Sequence, residues 1–286
     1  MRSPCAERRR CRPLLGTLVE IAAAGADAGR LDQMIAAAFE EVERVHACMS
    51  FHVVDSDVSR LNRGAWRDPV EVDERTIEVL SLARELFARS DGVFELAIAP
   101  VLARLEVLPG KDIAARALGT SADIELLGGR RVRFRRPLAI DLGGIAKGYA
   151  VDRAVECLRA LGAEAGRVNA GGDLRVFGPP QPVRVRHPAR PWATLPLLDL
   201  ADGAIATTAG YFSRGGRAPV VNPRSRTLAP SQASVSVRAQ SCALADALTK
   251  VVWILRQKAA PVLENYGAHA WIICDEDATC RTTTFA

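Results

Sequence analysis

Four stretches of the chain repeat apolar residues at helical spacing, and each predicts an amphipathic helix. Leu31, Ile35, Ala38, Val42, Val45 and Met49 mark one face of a long helix over 31–49. Ile77, Leu80, Ala83 and Phe87 mark a second, over 74–89, with Asp73 as its cap. Val151, Ala154, Val155 and Leu158 mark a third, for which Gly162 is a natural stop. Leu244, Leu248, Val251 and Leu255 mark a fourth, starting at Ser241. Shorter apolar runs predict strands at Leu14 to Ile21, at Arg167 to Phe177, around Ile205 and Val220, at Ser234 to Val237 and at Ala270 to Ile273. A further strand runs through Val132, Phe134, Leu138 and Ile140 towards Asp141. Without a regular βαβ alternation, this order predicts an α+β fold. Its sheets are expected to be mixed and mainly antiparallel, packed with helices, with a ligand cleft at strand-to-helix turns.

The polar stretches qualify this picture. Met49 to Asn62 reads as a loop rich in side-chain acceptors, and Gly178 to Pro196 as a proline-rich excursion. Gly171 and Gly172 inside a strand predict a bulge or a close backbone approach. The most informative segment is Ile140 to Asp152, I-D-L-G-G-I-A-K-G-Y-A-V-D, which sets an acid, two glycines and a lysine at a strand-to-helix turn. Glycines admit a ligand close to the backbone, and a helix N-terminus offers N–H groups to an anion, to which Lys147 adds a charge. An ordinary tight turn with a solvated lysine is the plainer reading of the same residues. Neither G-x-G-x-x-G nor G-x-x-x-x-G-K-[ST] is present, so neither a Rossmann nor a P-loop assignment follows.

Composition narrows the class without naming the chemistry. With 286 residues, 49% hydrophobic and 25% charged, the chain can bury a large core. No apolar run reaches the roughly 18 residues of a membrane helix, so no transmembrane segment is expected. The formal charge of +5 gathers at Arg8, Arg9, Arg10 and Arg12 and again at Arg130, Arg131, Arg133, Arg135 and Arg136. Aromatics do not interleave with either cluster, which disfavours nucleic acid, and alternating arginines on a strand are read as a solvated face. Cys5, Cys11, Cys48, Cys157, Cys242, Cys274 and Cys280 show no C-x-x-C or metal spacing and read as reduced structural thiols, pointing to a cytoplasmic location, with an export or membrane-peripheral role as the alternative if the start codon is misplaced. No Ser-His-Asp arrangement stands out, and His46, His187 and His269 read as structural or solvated.

Six segments, in order, resemble the FAD:protein FMN transferase family, also called the ApbE family. They are Leu15-Gly16-Thr17, the stretch M-S-F-H-V-V-D-S-D-V-S-R-L-N from Met49, S-D-G-V-F-E from Ser90, Asp141 to Asp152, N-A-G-G-D from Asn169, and A-D-A-L from Ala245. The resemblance implies one transferase-like domain over 13–286, with two intimate subdomains as an alternative, after a basic segment over 1–12. It implies cleavage of the FAD pyrophosphate, transfer of FMN to a threonine or serine of an acceptor flavoprotein, release of AMP, and help from a divalent metal, usually Mg2+. Carried over, Leu15, His52, Val93, Phe94 and Glu95 line the flavin or adenine side, and Asp141, Lys147 and Val221 also contact FAD. Gly144, through its carbonyl, and Asp246 are the implied metal ligands, with Thr249 and Lys250 one turn on. Asp141 and Asp246 are the implied catalytic acids.

Three departures bear on the chemistry. Lys250 stands where the family usually has a threonine, and at i,i+4 its ammonium can pair with Asp246 and take the metal's place. A residual metal site of Asp246, the Gly144 carbonyl, Thr249 and substrate phosphates is the other reading. Pro219-Val220-Val221-Asn222-Pro223 replaces H-[IV]-[IV]-D-P, removing the histidine expected to activate the acceptor hydroxyl. His52 replaces a tyrosine. Two alternatives to transfer therefore stand: an FAD hydrolase giving FMN and AMP, and an FAD-binding or flavin-delivery protein.

Overall fold

The computed structural model describes residues 6–188, 190–210, 220–229, 233–276 and 279–285. It opens with a hairpin, β1 (Ala6–Leu14) and β2 (Thr17–Gly25), where one strand over 14–21 was expected. Leu15 and Gly16 form its turn with φ of 55° and 70°, a left-handed bend that an apolar run conceals. The arginines of β1 point outward and pair with acids, Arg9 with Glu20, Arg10 with Asp32 and Arg12 with Glu43. A charged edge strand of this kind resists pairing with another chain.

Helix α1 (Ala28–Met49) follows, and its expected apolar face is buried throughout. The stretch read as a loop instead holds helix α2 (Asp57–Gly64), because Ser56 caps it by accepting the Ser59 N–H and Val58 and Leu61 give it a buried side. After β3 (Val70–Glu71), α3 (Glu74–Arg89) begins at the Asp73 cap, as expected. Its buried stripe is Thr76, Val79, Leu80, Ala83 and Leu86, with Ile77 only partly covered. Short helices α4 (Ala99–Arg104) and α5 (Lys111–Ala114) lead to β4 (Ile124–Leu127) and β5 (Arg131–Phe134). On β5 Arg131 and Arg133 are exposed while Val132 and Phe134 are buried, the solvated face that the alternation predicts.

The strand towards Asp141 ends at Phe134, seven residues early. The chain bends at 135–137, and further on its partners are not a neighbouring strand. Asn62 donates its amide to the Ile140 carbonyl and accepts the Ile140 N–H, at 2.9 and 2.8 Å, and the Asp141 N–H bonds the Leu96 carbonyl. A side-chain amide thus does the work of a ladder neighbour.

Helix α6 (Ala146–Ala160) comes next, followed by β6 (Ala165–Ala170) and β7 (Asp173–Phe177). Gly171 and Gly172, at φ of 62° and 106°, are a two-residue hairpin turn and not a bulge. The expected close approach is real, since a Cβ on Gly171 would strike Thr17. The proline-rich excursion is a further hairpin, β8 (Gln181–Arg186) and β9 (Thr194–Leu200), whose ribbon tolerates Pro182 and Pro196. Then come β10 (Gly203–Ala209), the small pair β11 (Val221–Asn222) and β12 (Thr227–Leu228), and β13 (Ala233–Ala239). Ser241 caps α7 (Cys242–Leu255), and α8 (Ala260–Glu264), β14 (His269–Glu276) and β15 (Thr279–Phe285) complete the described chain.

Eight strands form the main sheet in the order β1-β2-β6-β7-β10-β13-β14-β15, and all its ladders are antiparallel. Helices α1, α6 and α7 pack side by side against it and enclose the principal core. The fold is α+β, as expected. No helix of the described residues is long and apolar enough to cross a membrane.

Candidate functional site

One cleft of about 530 Å3 opens where the β1–β2 turn, the end of α1 and the start of α6 converge with β10 and α7. Ten of the residues singled out from the sequence line it: Leu15, His52, Val93, Phe94, Glu95, Asp141, Gly144, Lys147, Val221 and Lys250. Asp246 and Thr249 lie one layer behind, fully buried. His46 also borders the cleft, while His187 is buried on the β8–β9 hairpin, where it bonds Arg190, and His269 is exposed. Pro219 and Cys5 lie outside the described residues.

Local rules explain how these side chains arrive. Ser90 ends α3, and positive φ at Asp91 and Gly92 turns the chain so that the Ser90 hydroxyl accepts the Phe94 N–H at 2.9 Å. Glu95 then accepts from the Ser121 hydroxyl and the Ala97 N–H, which fixes it in the wall. Burial raises its pKa, and the Ser121 bond opposes this. Asp141 accepts the Gly143 N–H at 3.0 Å. Its pKa is also raised by burial, against the pull of that bond and of His52 and Lys250.

The N-terminus of α6 differs from expectation. The N–H groups of Ile145 and Ala146 bond the Leu142 carbonyl, and that of Gly148 reaches the Asp246 carboxylate at 3.3 Å. An acid of the protein already occupies part of the anion position. Lys147 does not stand free either, because its ammonium is paired with Asp173 on β7. Asp173 belonged to the N-A-G-G-D motif but drew no role from the sequence, and only its place directly after the glycine pair hinted at one. Thr207 and Thr208 were missed altogether, and they line the cleft from β10.

Behind the cleft two acids and two lysines interlock. Lys250 pairs with Asp246 within α7, and its Nζ also donates to the Asp246 main-chain carbonyl at 3.0 Å. Asp246 and Asp173 are both 1% exposed at the side chain, whereas Lys147 and Lys250 keep 28% and 21% open. Burial and the Asp246 charge raise the pKa of Asp173 against the opposing lysines. Burial also works against ionised Asp246, but Lys147 and Lys250 prevail and lower its pKa. For Lys147, burial favours the neutral form, and Asp173 and Asp246 overcome it to raise the pKa.

These residues do not fit a divalent cation. Lys250 stands beside both residues that carry the implied ligands: a Cβ on Gly144 would lie 3.7 Å from Lys250 Cε, and the ammonium sits on Asp246. The Thr249 hydroxyl donates to the Asp246 carbonyl and is bonded to Thr208, each at 2.7 Å. Among the described residues no group of three or more His, Cys, Asp or Glu side chains is placed to hold a metal.

Residues 15–272 match the family model described as the ApbE family. The chain belongs to the ApbE family. The FAD:protein FMN transferase of Rhodobacter capsulatus is 27% identical to this ApbE chain over 297 residues, covering 94% of the chain and 56% of that protein. The FAD:protein FMN transferase of Vibrio cholerae is 26% identical over 239 residues, covering 76% of the chain and 72% of that protein. The chain thus spans little more than half the length of the Rhodobacter relative. The crystal structure of the ApbE protein from Thermotoga maritima superposes with a TM-score of 0.83 at 26% identity, covering 98% of this chain and 97% of that one. The ApbE fold therefore extends over essentially the whole chain.

Proposed function

We propose that this chain is an FAD:protein FMN transferase that moves FMN from FAD to a threonine or serine hydroxyl of an acceptor flavoprotein and releases AMP. The observation that carries the reading is the gathering of Leu15, His52, Phe94, Glu95, Asp141 and the two lysines on one cleft. Aromatic and aliphatic walls suit the flavin and adenine rings, and the cations suit a pyrophosphate. The relatives that bear this name support it.

In the step proposed, the acceptor hydroxyl oxygen bonds to the flavin-side phosphorus. The bond from that phosphorus to the bridging oxygen breaks, and AMP departs with that oxygen and the electron pair. The hydroxyl proton passes to Asp141 and then to solvent. Asp141 is assigned this part because it lines the cleft without a direct lysine partner, and a raised pKa improves a carboxylate as a base. Transfer through a loose transition state depends chiefly on alignment and charge stabilisation, which eases the loss of the expected histidine. No step is routed through a divalent metal. The free thiols of Cys11, Cys48, Cys157 and Cys242 accord with a cytoplasmic location, which we propose on the same footing.

The test is AMP release from FAD by purified protein with a threonine-containing acceptor domain, followed by the acceptor's mass. Equimolar AMP and a mass gain of one FMN establish the transferase. AMP without a mass gain makes it an FAD hydrolase, and FAD binding without AMP makes it a flavin-delivery protein.

A further inference from the structure

We infer that the Lys250 ammonium, held on Asp246 with its stem beside Gly144, is the built-in cation of this cleft, so that the chain holds the pyrophosphate of its nucleotide without a divalent metal. The nucleotide rests on the function proposed above; the occupancy of the cation position does not.

Geometry makes the case. An ammonium has three N–H donors. Two of those on Lys250 go to the Asp246 carboxylate and to the Asp246 carbonyl, and among the described residues the third remains for a phosphate oxygen. Asp246 is anchored from the other side by the Gly148 N–H, so its oxygens already serve protein donors. The Thr249 hydroxyl, the remaining candidate oxygen, is fully buried and held in place by the Asp246 carbonyl, to which it donates, and by Thr208. Magnesium demands near-octahedral oxygen ligands at short range, and a dication seated here would meet an ammonium at close quarters.

Placement makes Lys250 useful as well as obstructive. It stands one turn from Asp246 on the same helix, so the pair needs no ligand to bring it together. Its side chain is 21% exposed and lines the cleft, whereas the acid that holds it is sealed away. Lys147 and Asp173 repeat the arrangement from α6 and β7. The cleft therefore carries two fixed positive charges, each held by a buried acid.

The test uses Mn2+ as the probe, followed by electron paramagnetic resonance on the full chain, with FAD affinity measured in parallel by flavin fluorescence in EDTA or Mg2+. The wild-type chain is expected to take up no stoichiometric Mn2+ below about 1 mM, the weak end of protein sites for divalent ions. Its FAD affinity is expected to be the same in EDTA as in Mg2+. Lys250→Met should weaken FAD binding about tenfold, the loss of one charge-assisted hydrogen bond. Lys250→Thr should make FAD binding metal-dependent and create a Mn2+ site. One Mn2+ bound per wild-type chain at submillimolar affinity overturns the inference, as does FAD binding that EDTA abolishes and Mg2+ restores. The Mn2+ measurement on the wild type needs neither a folded variant nor FAD. Failure to bind FAD would remove the proposed function, and the Mn2+ result would still decide who holds the cation position.

Discussion

Two buried acids meet helix α7, Asp152 at its first turn and Asp246 one turn further on, and their surroundings separate structure from function. Asp152 accepts the N–H groups of Cys242 and Ala243, both at 2.8 Å, and pairs with Arg175 on β7. Asp246 likewise accepts one backbone N–H and pairs with one cation. The difference lies in where the cation stands. Arg175 stays out of the cleft, whereas Lys250 lines it. Arg175 is 18% exposed and Lys250 21%, so position and not burial divides them: an acid whose cation stands away from the cavity holds the fold, while one whose cation borders it holds a tool.

The largest expected effect falls on the structural acid. Asp152→Ala strips a helix start and leaves Arg175 without its main partner, which should cost about 3 kcal/mol in urea unfolding, the lower end for a broken buried pair. FAD affinity of the folded fraction should stay within a factor of about 2, because nothing charged in the cleft changes. A large drop in affinity would erase the distinction between the two acids.

Asp246→Ala should have its main effect on turnover, lowering AMP release about 100-fold, equivalent to about 2.7 kcal/mol, through misplacement of Lys250. Unchanged turnover would remove Asp246 from the machinery. Next in size, Lys147→Ala should weaken FAD binding about tenfold, again the scale of one charge-assisted hydrogen bond. Adding Asp173→Asn to that variant should recover stability, since the unpaired buried acid is gone, without recovering FAD affinity. Affinity equal to wild type in either variant would count Lys147 as structural.

Acidity gives the mildest probe, and it acts on the two acids with opposite sign. Burial raises the Asp152 pKa despite Arg175, so the native chain holds its proton longer than the unfolded one. Stability from this group falls as pH rises from the ordinary carboxylate range, about 3.9, towards the raised native value. The Asp246 pKa is lowered by Lys147 and Lys250 against burial. Its contribution is complete above the ordinary range and is lost as pH falls through the native value. Urea midpoints of wild type, Asp152→Asn and Asp246→Asn between pH 3 and 6 should therefore show differences from wild type with opposite slopes. Parallel slopes would mean that both acids sit in equivalent environments.

Legibility followed the same division between regular and improvised structure. The helices at 28–49, 74–89, 146–160 and 242–255 were readable because stripes and caps are local, with Asp73 and Ser241 acting where they were expected. Strands failed where the chain improvises. Leu15 is apolar yet bends left-handed, and Ile140 is satisfied by the side chain of Asn62, 78 positions away. The ribbon of β8 and β9 hid behind its prolines. In the site, motif order located the lining residues, but only packing reveals what they hold. The embrace of Lys147 by Asp173 joins residues 26 apart across a turn that the sequence read as a bulge or a close backbone approach.

Gly148 reaches furthest beyond its own position. A Cβ there would collide with the Cys242 carbonyl oxygen, so α6 and α7 meet backbone to backbone, and this is also the glycine whose N–H holds Asp246. Lys147 rides on one of these helices and Lys250 on the other. The spacing of the two charges that face the cleft is thus gauged by a hydrogen atom, and a single methyl group at 148 would retune it without touching any ligand.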